Sequence, residues 1–117
     1  MTREGFWSVR SKGDAGEGVG VIVLDTNMVV GADAAGVVYD GTYCRNNNNE
    51  LDCEVTATVV NNDVWIVTNR TMLLKGSSFQ IKAVLPSEFG LSTTISVNTP
   101  FGPIKVSFSK IRDFPVS

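Results

Sequence analysis

From Leu51 to Val60 the chain alternates without interruption. Leu51, Cys53, Val55, Ala57 and Val59 fall on one side, and Asp52, Glu54, Thr56 and Thr58 on the other. A period of two in residues this rich in β-branching belongs to a strand with one face in a core and one in water. The same pattern returns in Gly5–Ser11, Ser77–Leu85, Leu91–Asn98 and Ile104–Ile111. In Val37–Cys44 the residues Tyr39, Gly41 and Tyr43 oppose Asp40 and Thr42. Turn residues separate these runs: Lys12–Gly16, Asp25–Asn27, Gly31–Gly36, Arg45–Glu50, Asn61–Asp63, Pro86–Gly90 and Thr99–Pro103. Thr99–Pro103 holds two prolines, which rule out a central strand there. Nowhere does an apolar period of 3.6 persist over three turns. Roughly eight short strands spaced ~10–14 residues apart imply an all-β fold, an up-and-down barrel or a sandwich. Closure suits these strands because it hides the apolar face and removes every exposed edge. The expectation is therefore one antiparallel barrel domain over residues 1–117.

Three stretches break the pattern. Gly18–Leu24 is apolar at nearly every position, which reads as a strand covered on both faces. An outward apolar face needs a cover, and a second subunit is the simplest one. Val19, Val21 and Val23 are thus the expected seam of a homodimer. Val64–Gly76 fits either a short covering segment or a broken strand capping one barrel end. Arg112–Ser117 reads as a loose tail.

Composition narrows the function. The formal net charge is −2 and the basic residues are scattered singly, a poor footprint for direct nucleic-acid binding. No leader-like apolar segment opens the chain, and Gly18–Leu24, its longest apolar run, is far too short for a membrane helix. A soluble, cytoplasmic protein without membrane contact is expected. Histidine is absent, which removes the commonest general base and metal ligand. Cys44 and Cys53 flank the Arg45–Asp52 loop, close enough for a disulfide in a hairpin. In a reducing compartment they read as two reduced, packed thiols. No metal or other cofactor is expected: two cysteines make a poor zinc site, and the Asp25-Thr26-Asn27 start of a calcium loop lacks its later acids. Asp52 and Glu54 share a strand face, but the polar one. Gly16-Glu17-Gly18-Val19-Gly20 opens a strand rather than a helix, so its glycines serve curvature and close packing instead of phosphate. With no catalytic residues in view, binding is the better supported class. Trp7, Tyr39, Tyr43, Phe79, Ile81 and Phe108 are candidate linings of an interior that either fills itself or holds a small apolar ligand.

The first half of the chain resembles a known family. Gly5-Phe6-Trp7, Gly16-Glu17-Gly18-Val19, Gly31-Ala32-Asp33 and Tyr39-Asp40-Gly41-Thr42-Tyr43 are similar to the signature segments of the GrlR-like family, named for a negative regulator of type III secretion. The resemblance implies a lipocalin-like eight-stranded barrel, dimeric, regulating transcription through protein contacts rather than catalysis. It also implies a partner-binding loop at Arg45, Asn46, Asn47, Asn48, Asn49 and Glu50. The family's regulator carries acids there, and this chain carries asparagines, which cannot steer a basic partner by charge.

Overall fold

A computed structural model describes residues 3–65, 72–86 and 92–115. Ten strands make up the described chain: β1 (Gly5–Gly13), β2 (Gly16–Asp25), β3 (Met28–Asp33), β4 (Val37–Arg45), β5 (Leu51–Val59), β6 (Val64–Trp65), β7 (Met72–Leu73), β8 (Ser78–Leu85), β9 (Ser92–Thr99) and β10 (Gly102–Arg112). Eight of them close a barrel in the order β1-β10-β9-β8-β5-β4-β3-β2, every registered pair antiparallel. Each barrel strand neighbours the next barrel strand in the chain, so this is the up-and-down topology expected from the alternation. No described residue is helical; hence no helix among them is long and apolar enough to cross a membrane.

Register explains why one face of every strand is buried. Trp7 pairs with Ile22 and Leu24 with Val29. Further round, Gly41 pairs with Val55, and Val55 with Ile81. The alternating apolar residues thereby meet inside. Trp7, Leu24, Val29, Tyr43, Leu51, Cys53, Val55 and Leu85 form the main core. At the opposite end Val37, Ala57, Val59 and Val64 form a second cluster, with Leu73 and Phe79 packed on it. Thus β6 and β7, a two-stranded sheet of their own, help cap that end. Of the two readings of Val64–Gly76, this matches a broken strand capping one barrel end; residues 66–71 lie outside the described ones.

Turn chemistry sets the hairpins. Thr26 and Asn27 both take positive φ, 43° and 68°, as the two central residues of a tight hairpin turn require. A β-branched residue tolerates that backbone poorly. Here Glu4 Oε2 holds it, accepting from the Thr26 backbone N–H at 2.8 Å.

Two readings are corrected. Pro103 lies inside β10, facing Asn98 of β9. It is tolerated because registered pairing of β10 with β1 begins only at Lys105, so the missing N–H falls where the strand is paired on one side. The tail after β10 is docked as far as it is described. Phe114 stacks edge-on against Phe6, ring centroids 5.4 Å apart, and Asp113 pairs with Lys110, whose side chain is only 6% exposed. Lys110 is buried because it pairs with Trp7 on the inward face and lies over the indole, 5.7 Å from the ring centroid.

The wall is not uniform. Between β8 and β9 the only registered pair among the described residues is Lys82 with Asn98, whereas β5 and β8 share eight.

Candidate functional site

Three surfaces are open to function: the outer face of β2 and β3, the β4–β5 loop, and the barrel interior.

On the outer face, Val19 and Val21 are exposed, 50% and 41%, and Val23 is half-buried. Among the described residues nothing supplies the second covering expected for Gly18–Leu24: its inward residues are packed, and its outward Val19 and Val21 are exposed. Register carries the apolar face onto β3, where Val21 pairs with Ala32 and Val23 with Val30. Met28 and Val30 are exposed there. Charges flank the stripe. On the β1 side stand Arg10 and Lys12, the latter between Lys105 of β10 and the exposed Glu17 of β2. On the β4–β5 side stand Asp40, Asp52 and Glu54, all exposed. Sequence reading reached only the β2 valines. The rest of the stripe was hidden because cross-strand neighbours come from register, which the sequence does not print.

The Arg45–Glu50 loop is built round Asn46. Its Oδ1 accepts from the backbone N–H of Asn48 at 2.9 Å and of Glu50 at 3.0 Å. Its Nδ2 donates to Glu50 Oε1 and Asp52 Oδ1. Asn49 adopts φ 62°, a conformation asparagine tolerates well. The run of asparagines thus makes a self-capped turn, with Asn47, Asn48 and Asn49 presented to solvent and no cluster of acids. Cys44 and Cys53 at its base are both free thiols, Cys44 exposed and Cys53 buried. The pleat separates them: Cys44 pairs with Asp52 on the outer face and Cys53 with Tyr43 inside, so only one of the two is packed. Burial pushes the Cys53 thiol from its ordinary 9.0 up to about 11.

Inside the barrel lies a cavity of about 140 Å³. Of the six residues expected to line it, Trp7, Tyr39, Ile81 and Phe108 do. Tyr43 is buried in the main core instead, and Phe79 turns to the other cluster, edge-on to Phe101 with ring centroids 5.1 Å apart. The wall holds one acid, Asp33. Its Oδ1 accepts from the Ala35 and Val37 backbone N–H groups, both at 3.0 Å, and its Oδ2 accepts the Tyr39 hydroxyl at 2.7 Å. Burial first, then this bond and the negative charge behind it, raise the Tyr39 hydroxyl far above its ordinary range. Such a phenol stays protonated and donates; it is no base.

The chain matches no known family model. No curated protein is similar to it either. Function must then be read from the geometry. Asp52 and Glu54 stand on the outer face in water, where Glu54 meets Lys82 at 3.7 Å. Asp33 and Tyr39 each lie in one of the segments that carry the resemblance, but no sequence signal joins them: a turn aspartate and a tyrosine six residues apart are unremarkable until the β3–β4 hairpin brings them together.

Proposed function

We propose that this protein is a non-enzymatic binding barrel that acts through contacts with other protein chains, in the manner of the GrlR-like regulators its first half resembles. Its first partner is a second copy of itself. The exposed stripe of Val19, Val21, Val30 and Met28 supports this reading, because it lies between a basic and an acidic margin.

The stripe can pack on a second copy about a two-fold axis lying in the interface plane. Run diagonally across β2 and β3 at Ile22 and Gly31, that axis turns Arg10 of one copy toward Thr42 of the other, near Asp40 and Glu54, and by symmetry the same contact forms twice. Strands about 4.8 Å apart and rows about 6.8 Å apart make the patch roughly 500–650 Å² per chain. The total of about 1,000–1,300 Å² sits at the low end of specific interfaces.

Analytical ultracentrifugation tests the reading. The protein is expected to sediment as a dimer that weakens with salt and becomes monomeric in Val21→Glu. Arg10→Glu should loosen the dimer, and adding Asp40→Arg should restore it. A wild-type monomer at every concentration would remove the proposal. The regulatory part, a transcriptional partner held by Arg45–Glu50 in the cytoplasm, is tested by affinity capture with that loop replaced by Gly-Ser. Capture that does not depend on the loop counts against it.

A further inference from the structure

We propose that the barrel interior is a binding site for a small neutral ring compound carrying one hydrogen-bond donor, a molecule of the size of phenol. Most of its lining points inward, but Val19, Val21 and Ala32 of the outer stripe also border it. It arises from the glycines that opened β2. Gly18 and Gly20 stand inward, opposite Ser11 and Val9 of β1, and present no side chain to the interior. Gly20 cannot be replaced freely, since a Cβ there would lie 2.5 Å from the Ala32 carbonyl oxygen; one on Gly18 would meet only the rotatable Ser11 Oγ, at 2.9 Å. The strands close tightly at these positions while the space beyond them stays unfilled.

Size comes from the cavity, about 140 Å³. An engineered protein cavity of about 150 Å³ lined by aliphatic and aromatic side chains stays dry and takes up benzene. The walls here are similarly apolar, and Trp7, Tyr39 and Phe108 offer ring faces and edges to an aromatic guest. Charge comes from the same walls. An ion would lose its hydration against Val55, Ile81 and Val106, and an anion would also meet Asp33. An ammonium brings three donors, for which Asp33 and Ser11 are the only oxygen acceptors among the lining side chains besides the Tyr39 hydroxyl. A single O–H or N–H is what this wall accommodates. Asp33 Oδ2 already accepts from Tyr39 and keeps a second lone pair. The β8–β9 seam, with one registered pair among the described residues, borders the cavity through Ile81 and Val97.

Titration of the full chain followed by heteronuclear NMR, with the buried Trp7 indole as reporter, tests the site. The probes are phenol, toluene, phenylacetate and phenethylamine. Phenol is expected to bind at millimolar concentration or better, ahead of toluene and well ahead of the two ions. Ala83→Leu, which fills the cavity from β8, should weaken phenol at least tenfold while the protein stays folded. Val106→Phe serves the same purpose from β10. Asp33→Asn keeps the oxygen that caps the β3–β4 turn but replaces the other by a donor. It should cut the preference for phenol over toluene about tenfold and leave toluene unchanged. The proposal fails if phenol does not perturb Trp7, if either filled variant binds phenol like the wild type, or if an ion binds as well as phenol.

Discussion

Two outer faces of the same barrel differ sharply. The outside of β5 and β8 carries Asp52, Glu54, Thr56 and Thr58 beside Ser78, Gln80, Lys82 and a single exposed valine, Val84, and it pairs its polar groups across the strands. Gln80 Nε2 donates to Thr56 Oγ1 at 2.8 Å, and Lys82 meets Glu54. The outside of β2 and β3 carries Val19, Val21, Val30 and Met28, exposed and not covered by any other described residue. Inside, both halves are alike, with apolar residues alternating in register. Closing a barrel constrains only the inward set. The outward set is free to record what each face meets: water on one side, and by our proposal another chain on the other.

The largest effect should come from breaking the shared inner set. Leu51 and Trp7 are 2% and 1% exposed. Leu51→Ala should cost about 2–5 kcal/mol, and Trp7→Ala about 3–5 kcal/mol. Urea unfolding would check both, on a chain held monomeric by Val21→Glu so that assembly does not mask the loss.

Next in size is a pH effect at the seam between inside and outside. The folded Cys53 thiol ionises near 11 against an ordinary 9.0. Its contribution is complete below pH 9 and is lost as pH rises through 11, because the unfolded chain gives up its proton first. About 2–3 kcal/mol should disappear over that window. Cys53→Ala should flatten this part of the curve. The same contrast should show in alkylation at neutral pH: Cys44 modified quickly, and Cys53 only on unfolding.

The smallest effects should be on the polar outer face. Lys82→Ala removes an ion pair whose side chains are 80% and 67% exposed, and should change stability by less than about 1 kcal/mol. Val21→Thr on the apolar face should likewise leave the monomer within about 0.5 kcal/mol, yet weaken the dimer. If Val21→Thr instead destabilised the monomer like Leu51→Ala, the two faces would not differ as described.

Much of this was legible in the chain before folding. Alternation at Leu51–Val60 and its repeats, with turn residues between, specified antiparallel strands and the side of each that goes inward. Asp25–Asn27 marked a tight turn, and the strand-opening glycines argued against a phosphate loop. Tyr43 and Phe79 show where this logic ended. Both point inward, as their period requires, but which inward residue meets a gap and which meets a neighbour depends on the coil of the whole wall.

Local periodicity and turn chemistry, acting over a few residues, therefore determined the strands, their faces and an all-β meander. Only the tertiary structure decided the rest, since those contacts join residues far apart in the chain. Closure through β1 and β10 buried Lys110 over Trp7. Register widened a line of valines into a stripe with charged margins, and closure of the wall left a cavity among its inward side chains.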